Sequence, residues 1–222
     1  MSAPLGAAAR IASVAMPGRM GGLPREARGY AVPKFVLWID GKPDFRVMDL
    51  AHLKRCIERK LCWVCGHPLG RYQTFVVGPM CIINRTSSEP PSHHECGEYS
   101  VRVCPFLAVP EMRRIETRLP GDVTQSGIGI TRNPGVGCLW TVENYTVWRP
   151  AKDELLFQMG DPTSVEWWCR GRKATRAEVD ESINGGLPIL EKIAAEDPQP
   201  GALAALASDI ARAQPWLPGI LS

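Results

Sequence analysis

The cysteines and histidines of this chain include four residues with the spacing of metal ligands. Cys62 and Cys65 are separated by two residues, and after 27 intervening residues His93 and Cys96 are again separated by two. A Cys-x-x-Cys turn can direct both sulfurs at one ion, and Gly66 directly after it tolerates the positive φ that such a turn needs. Three sulfurs and one imidazole are typical of a closed structural zinc site, so the spacing predicts Zn²⁺ as the cofactor.

Two alternatives use neighbouring residues. His94 could replace His93, although the two side chains would lie about 100° apart around a helix, and the i, i+3 spacing to Cys96 favours His93. Alternatively, Cys81 and Cys104 could join the other cysteines in an iron–sulfur cluster, although the ferredoxin-type spacing is absent. The remaining cysteines, Cys56, Cys138 and Cys169, are expected to be buried core residues.

The elements around the four residues predict how they would be brought together. Asp49 can cap a helix that runs to about Lys60, just before the first cysteine. The apolar runs of 73–84, on either side of Gly78-Pro79, predict a hairpin. Ser92 and Glu95 have the spacing of a capping box, which predicts a helix that begins at Ser92 and presents two ligands. A treble-clef-like zinc module has a Cys-x-x-Cys turn, called the knuckle below and here formed by 62–66, followed by a hairpin and then a helix that carries the other two ligands. The predicted elements occur in this order.

The remaining patterns predict an α+β protein. Residues 34–40 read as a strand that returns through "DFRV", and 127–170 as one antiparallel sheet of three or four strands. Thr175 and Glu178 form a second capping box, for a helix that should end at Asn184-Gly185-Gly186. Short helices are expected at 110–119, 187–197 and 202–214.

These elements divide the chain into four predicted parts. Residues 1–30 are rich in Ala, Gly and Pro and should form a flexible segment with little to bury. Residues 31–120 form the zinc-binding module, and 121–200 an antiparallel sheet with helices packed on it. The C-terminal helix occupies 201–222.

The composition is that of a soluble globular protein, with 45% hydrophobic residues, 22% charged residues and a net charge of +3. No run of 18 apolar residues predicts a membrane span, and Arg10 interrupts any export signal, so we expect a cytoplasmic protein without a membrane partner. In that compartment a Cys-x-x-Cys is more often a metal or redox site than a disulfide.

Basic side chains flank the predicted module and suggest a nucleic-acid partner. A solvated helix face is the commoner explanation of such clusters, and a protein partner is equally compatible with a structural zinc. The candidate nucleic-acid-binding residues are Lys54, Arg55, Arg59, Lys60, Arg113 and Arg114.

A metalloenzyme is the alternative function. It would need an open metal site, or a separate pocket built from Asp44, Arg46, Asn84 and Arg85. The motifs of P-loop, GxSxG, HExxH and dinucleotide-binding enzymes are all absent from the sequence.

Several segments together resemble an uncharacterised family of bacterial and prophage-associated proteins. They include "VPKFVLWIDGKPDFRV", "LCWVCGHPLG", "CIINRTSSEPPSHHECGEYS", "RNPGVGCLW" and "EWWCRGRKATRAEVDESINGGLP". The resemblance implies a bacterial or phage origin and the same four metal ligands. It implies no mechanism, and the function expected is that of a small zinc-binding accessory protein.

Overall fold

The computed structural model describes residues 6–109, 133–149 and 155–217, in which helices alternate with short strands. The helices are α1 (Ala7–Ala12), α2 (Leu50–Arg59), α3 (Pro79–Asn84), α4 (His94–Val103), α5 (Pro105–Ala108), α6 (Arg176–Glu196) and α7 (Ala202–Ala213), with 3₁₀ turns at Gly18–Met20 and Gln214–Trp216. The strands are β1 (Val36–Ile39), β2 (Lys42–Met48), β3 (Gln73–Val77), β4 (Thr86–Ser87), β5 (Gly137–Val142), β6 (Tyr145–Trp148), β7 (Leu156–Met159), β8 (Pro162–Cys169) and β9 (Arg172–Lys173). The α+β class, with antiparallel sheets and C-terminal helices, is confirmed. Within these ranges, no helix combines the length and apolarity that crossing a membrane requires.

The antiparallel strands form three sheets, with the orders β1-β2, β3-β5-β8-β9 and β4-β7-β6. The strands expected between 127 and 170 are present in the described residues, but the prediction of a single sheet is wrong. Every residue of β5 is buried, and this strand pairs with β3 on one side and β8 on the other. Because both its edges are occupied, β6 cannot join it and pairs with β7 in a separate sheet.

The region before the knuckle folds as predicted. β1 and β2 form the expected hairpin. The Asp49 carboxylate accepts hydrogen bonds from the backbone N–H groups of Ala51 and His52 and so caps α2. The helix ends at Lys60, whose φ is 49°. The chain therefore turns sharply away from the helix two residues before Cys62.

The predicted hairpin at 73–84 is wrong. β3 ends at Val77 and is followed at once by α3, which begins at Pro79. The fixed φ of proline suits the first turn of a helix, where its missing N–H would have no partner. The partner of β3 is β5, with Gln73 opposite Val142 and Val77 opposite Cys138.

The helix that begins after Thr175 is longer than predicted. The capping box of Thr175 and Glu178 is confirmed, but α6 continues through Gly186 to Glu196 and absorbs most of the short helix expected at 187–197. A Cβ at Gly186 would lie 2.7 Å from the sulfur of Met80. The glycine therefore allows α3 and α6 to approach each other and is no stop signal.

The described residues form two principal hydrophobic cores. The main core lies between the sheets and helices α2, α3, α6 and α7, and Cys56, Cys138 and Cys169 are among its buried residues, as predicted. A smaller core, called the metal-side core below, surrounds the predicted metal ligands. It consists of Met20, Leu23, Tyr30, Cys62, Val64, Cys65, Cys96, Tyr99 and Val103.

The composition of the metal-side core corrects the expectation for the N-terminal segment. Met20, Leu23 and Tyr30 are all less than 10% exposed and pack against the cysteines. The prediction that residues 1–30 have little to bury is wrong for these side chains. The division of the chain into domains stays a prediction, and the helix expected at 110–119 lies outside the described residues.

Candidate metal centre

The structure brings the four predicted ligands together. The ligand atoms of Cys62, Cys65, His93 and Cys96 all lie within 4.8 Å of one another. All four residues are buried, with exposed fractions from 0% for Cys62 and Cys96 to 7% for His93. Sulfur and nitrogen ligands placed about 2.0–2.3 Å from one tetrahedral ion stand roughly 3.3–3.8 Å apart, so the cluster has the size of such a site after a small contraction.

Local backbone hydrogen bonds build the knuckle that carries the first two cysteines. The N–H of Gly66 donates to the carbonyl oxygen of Cys62 (2.9 Å), and the N–H of Cys62 donates to that of His67 (2.8 Å). Gly66 has a φ of 75°, which a side chain would strain. The N–H of Cys65 points at the sulfur of Cys62 (3.4 Å), which stabilises a thiolate there.

The other two ligands come from the start of α4, one residue later than predicted. His93, not Ser92, is the N-cap residue, and its side chain makes no capping hydrogen bond. The expected capping box is wrong because Ser92 instead exchanges backbone hydrogen bonds with Thr74, at 2.9 and 2.7 Å. This short bridge ties the start of α4 to β3, and Cys96 then lies in the first turn, where the helix dipole favours a thiolate.

The imidazole of His93 is oriented for metal binding through Nδ1. This atom lies 3.4 Å from the sulfur of Cys65 and 4.0 Å from that of Cys96. Nε2 lies 2.9 Å from the carbonyl oxygen of Pro68. A proton on Nε2 donates to that carbonyl and leaves the Nδ1 lone pair directed at the sulfurs, which is the usual outer hydrogen bond of a metal-binding histidine.

The neighbouring candidates lie elsewhere. Nε2 of His94 is 2.7 Å from the Glu166 carboxylate on β8, so this imidazole faces the sheet and His93 alone joins the cluster. Cys81 lies in α3 and Cys104 between α4 and α5. Neither belongs to the cluster found among the described residues, and burial raises the pKa of both thiols, that of Cys81 to about 11. The structure therefore does not assemble the predicted iron–sulfur ligand set.

The three neighbouring thiols of the cluster affect one another's pKa, so that ionisation of one disfavours ionisation of the others. Hydrogen bonds from the thiols of Cys65 and Cys96 hold the pKa of Cys62 below its usual range. The same bonds raise the pKa of Cys65 to about 11 and raise that of Cys96 as well. The bare cluster therefore favours a thiolate at Cys62 over thiolates at Cys65 and Cys96, and a bound cation would stabilise three thiolates this close together.

Arg19 contributes a positive charge that no sequence pattern predicts. Its Nε lies 2.6 Å from the Glu95 carboxylate, and one of its terminal nitrogens lies 2.9 Å from Nε2 of His93. A guanidinium N–H can only donate, so in the metal-binding tautomer, where Nε2 donates to Pro68, Arg19 contributes its charge and no hydrogen bond to the imidazole. Three thiolates with a divalent ion carry a net charge of −1, which a nearby guanidinium offsets. No spacing motif connects Arg19 to the ligands, which are more than 40 residues away along the chain.

The predicted nucleic-acid-binding residues are placed on or next to α2 where the structure describes them. Lys54, Arg55, Arg59 and Lys60 are all exposed. Lys54 lies 3.8 Å from Glu58, and Arg55 lies 3.6 Å from Asp49, so two of the four are partly neutralised. Arg113 and Arg114 lie outside the described residues.

The residues suggested for a separate enzymatic pocket fall into two local arrangements. Asp44 and Arg46 form an ion pair along β2, with 2.6 Å between a guanidinium nitrogen and a carboxylate oxygen. The guanidinium of Arg85 lies 5.4 Å from the Trp140 ring centroid and 5.1 Å from that of Trp216. These contacts have structural explanations in the hairpin and the main core, respectively.

The fourth suggested residue, Asn84, also has a local role. Its side-chain oxygen accepts a hydrogen bond from the N–H of Thr86, at 3.0 Å, where the chain leaves α3.

A comparison of the chain with family models, curated proteins and solved structures found no match. The buried Cys62, Cys65, His93 and Cys96 cluster, which could hold a metal ion, is therefore the feature on which a function must be argued.

Proposed function

We propose that this chain binds one Zn²⁺ through Cys62, Cys65, His93 and Cys96 and that the ion has a structural role. The observation that carries the proposal is the burial of three sulfurs and one properly oriented imidazole, with all four ligand atoms within 4.8 Å of one another. Zinc prefers four such ligands and has no redox chemistry. A Cys-x-x-Cys knuckle that faces the first turn of a helix is also the ligand arrangement of treble-clef-like modules.

The burial of the ligands supports a structural role over a catalytic one. Four protein ligands complete a tetrahedral zinc site, whereas catalytic zinc keeps a position open for water or substrate. The cluster also lies within the metal-side core, where three of the nine buried residues are the cysteines themselves. Binding of zinc would thus supply folding free energy, of order 10 kcal/mol in favourable zinc modules.

The activity proposed is that of an accessory protein, of bacterial or phage origin, that binds nucleic acid through the surface beside the metal. The exposed basic side chains of α2 and its C-terminal end lie immediately before the knuckle in the chain. Phosphate contacts from such side chains supply most of non-specific nucleic-acid affinity. The resemblance to the bacterial and prophage-associated family supports the origin.

Elemental analysis tests the metal assignment. We expect one zinc per chain, and no visible absorbance, in protein purified anaerobically without added metal. Cys96→Ser should lose zinc, whereas Cys104→Ser, which removes a thiol outside the cluster, should retain it. Iron with sulfide and a brown absorbance band would overturn the structural zinc site.

Fluorescence anisotropy with labelled single- and double-stranded oligonucleotides tests the nucleic-acid assignment. We expect affinity that falls steeply between 50 and 200 mM salt, about tenfold for a few phosphate contacts. Arg59→Gln combined with Lys60→Gln should weaken binding, and Arg28→Gln, a change at an exposed arginine outside α2, should not. Zinc-loaded protein with no salt-dependent binding would refute nucleic acid as the partner and leave the zinc site standing.

A further inference from the structure

A cleft of about 440 Å³ opens beside the metal centre, between the N-terminal segment, the knuckle and α2. Its walls come from parts of the chain that the metal-side core holds together. The polar residues that line it, together with one metal ligand, are Arg19, Lys34, His52, Arg55, Cys65 and His67.

The charge of the cleft is positive. Three cationic side chains line it, and no lining residue is acidic. Glu95 pairs with Arg19 at 2.6 Å and Asp49 with Arg55 at 3.6 Å, so two of the cations are partly neutralised from outside the lining. Lys34 has no ion-pair partner within the described ranges, which leaves its full charge available to a ligand.

The cleft is formed before any ligand arrives. The backbone N–H of Lys34 donates to the carbonyl oxygen of Val64 (2.8 Å), which fixes this residue beside the knuckle. A Cβ at Gly66 would lie 3.2 Å from Cγ of Lys34 and 3.6 Å from Cε1 of His52. Glycine therefore lets the side chains of Lys34 and His52 approach the turn. The imidazole of His52 also stacks on the Trp63 ring, with 5.4 Å between ring centroids, which holds it in place.

We propose that this cleft binds a nucleoside phosphate, with Lys34, Arg19 and Arg55 around the phosphate group. Guanidinium and ammonium groups are the usual partners of phosphate oxygens. Ligand pockets have volumes of about 300–1,000 Å³, so this cleft has room for a nucleoside besides the phosphate. Leu23 and Leu61 supply apolar wall on which a base can lie. The proposal deepens the proposed function, because the zinc holds the knuckle that forms one wall.

The nearby metal centre limits where the phosphate can sit. A zinc ion with three thiolates carries a charge of −1, and Cys65 lies at the wall of the cleft but is only 2% exposed. Of the three cations, Lys34 alone lacks an ion-pair partner among the described residues, so the phosphate contacts its ammonium group. Removal of Lys34 should consequently weaken binding more than removal of Arg55, whose charge Asp49 already offsets.

The test uses zinc-loaded full-length protein titrated with adenosine monophosphate, inorganic phosphate and an octathymidylate without terminal phosphates, followed by NMR amide shifts or calorimetry. We expect the nucleotide to bind and Lys34→Gln to raise its dissociation constant at least tenfold. Arg55→Gln should raise the dissociation constant several-fold. Lys42→Gln, at an exposed lysine of β2 outside the cleft lining, should change it less than twofold.

Each outcome decides the proposal separately from the zinc site, because zinc content is measured on every sample. A nucleotide that binds without the octathymidylate identifies a free nucleotide as the ligand, and binding of both identifies a nucleotide within a strand. Zinc-loaded protein that binds neither at millimolar concentration overturns the cleft proposal while the metal assignment stands. Equal affinity of Lys34→Gln and the native chain for the nucleotide would overturn it as well.

Discussion

The main core and the metal-side core are stabilised by different means. The main core contains nineteen of the described buried residues, including Phe75, Trp140 and Phe157, each with an exposed fraction of 0%. The metal-side core contains nine, of which three are cysteines of the metal cluster. Large apolar side chains stabilise the main core because folding buries their surface. The metal-side core has fewer such side chains, and several of its residues come from short segments with little regular secondary structure.

A bound ion would contribute more to the stability of the metal-side core than to that of the main core. Burial of a large aromatic side chain contributes about 2–3 kcal/mol, and the main core has several. Buried thiols contribute far less apolar area, and three of them without a cation compete for protons. We infer that the hydrophobic effect is the main source of stability of the main core, whereas the stability of the metal-side core depends on a bound ion.

The largest expected effect comes from removing the metal. Chelation, or Cys96→Ser, should open the metal-side core while the main core remains folded, because only the former contains the ligands. Hydrogen exchange followed by mass spectrometry should show loss of protection at 16–35 and 64–69. Protection of β5 (Gly137–Val142), which is buried along its whole length, should remain.

The reciprocal change is Phe75→Ala, which removes a ring with centroids 5.6 Å from Tyr145 and 6.4 Å from Phe157. It should lower the free energy of unfolding by about 3–5 kcal/mol and leave one zinc per chain. Simultaneous loss of protection in both cores after chelation would show that the two cores form a single cooperative unit, contrary to this comparison.

An intermediate effect is expected within the main core at the contact of α3 with α6. Gly186→Ala places a methyl group 2.7 Å from the Met80 sulfur, and such overpacking costs about 1–3 kcal/mol. Gly185→Ala is the matched control, because Gly185 is exposed in the same helix and alanine there should stabilise by about 0.5–1 kcal/mol. Equilibrium denaturation measures both, and stabilisation by both changes would contradict the close approach.

Each core has features that the sequence predicts and features that it does not. The clustering of Cys62, Cys65, His93 and Cys96 was predictable because metal chemistry imposes a short spacing within each pair. The caps at Asp49 and Thr175 were predictable because a cap acts over two or three residues. Contacts that depend on distant chain segments leave no such pattern. Arg19 next to His93 and the division of the strands between two sheets are both of this kind.

The predictions at Gly186 and Pro79 were wrong for a related reason. Each has a local preference, as a helix stop or as part of a turn, that several conformations satisfy. Packing against Met80 and the pairing of β3 with β5 select among them. A local structure is therefore predictable from the sequence where local chemistry allows a single conformation. It is not predictable where tertiary contacts select one of several conformations.

A smaller change in stability is expected at the start of α6, which packs on the main core. Glu178 accepts hydrogen bonds from Arg172, 2.7 Å away, and from the N–H of Thr175, 2.8 Å away. Chiefly through the Arg172 guanidinium, these bonds lower the pKa of Glu178 from 4.5 to about 2. Because the pKa is lower in the folded state, the carboxylate stabilises the fold above about pH 4.5, and this contribution is lost as the pH falls toward about 2.

Glu178→Gln should therefore cost about 1 kcal/mol at neutral pH, the scale of a helix cap combined with a partly exposed ion pair. The difference between native and variant protein should shrink as the pH falls from about 4.5 to about 2. Glu181→Gln, a change at an exposed position on the same helix, is the matched control and should change the free energy of unfolding by less than about 0.5 kcal/mol at neutral pH. Acid also removes zinc from thiolates, so the comparison is made on chelated protein, in which only the main core is being measured. A Glu178→Gln difference that stays constant down to pH 2 would show that the capping box stabilises α6 without its charge.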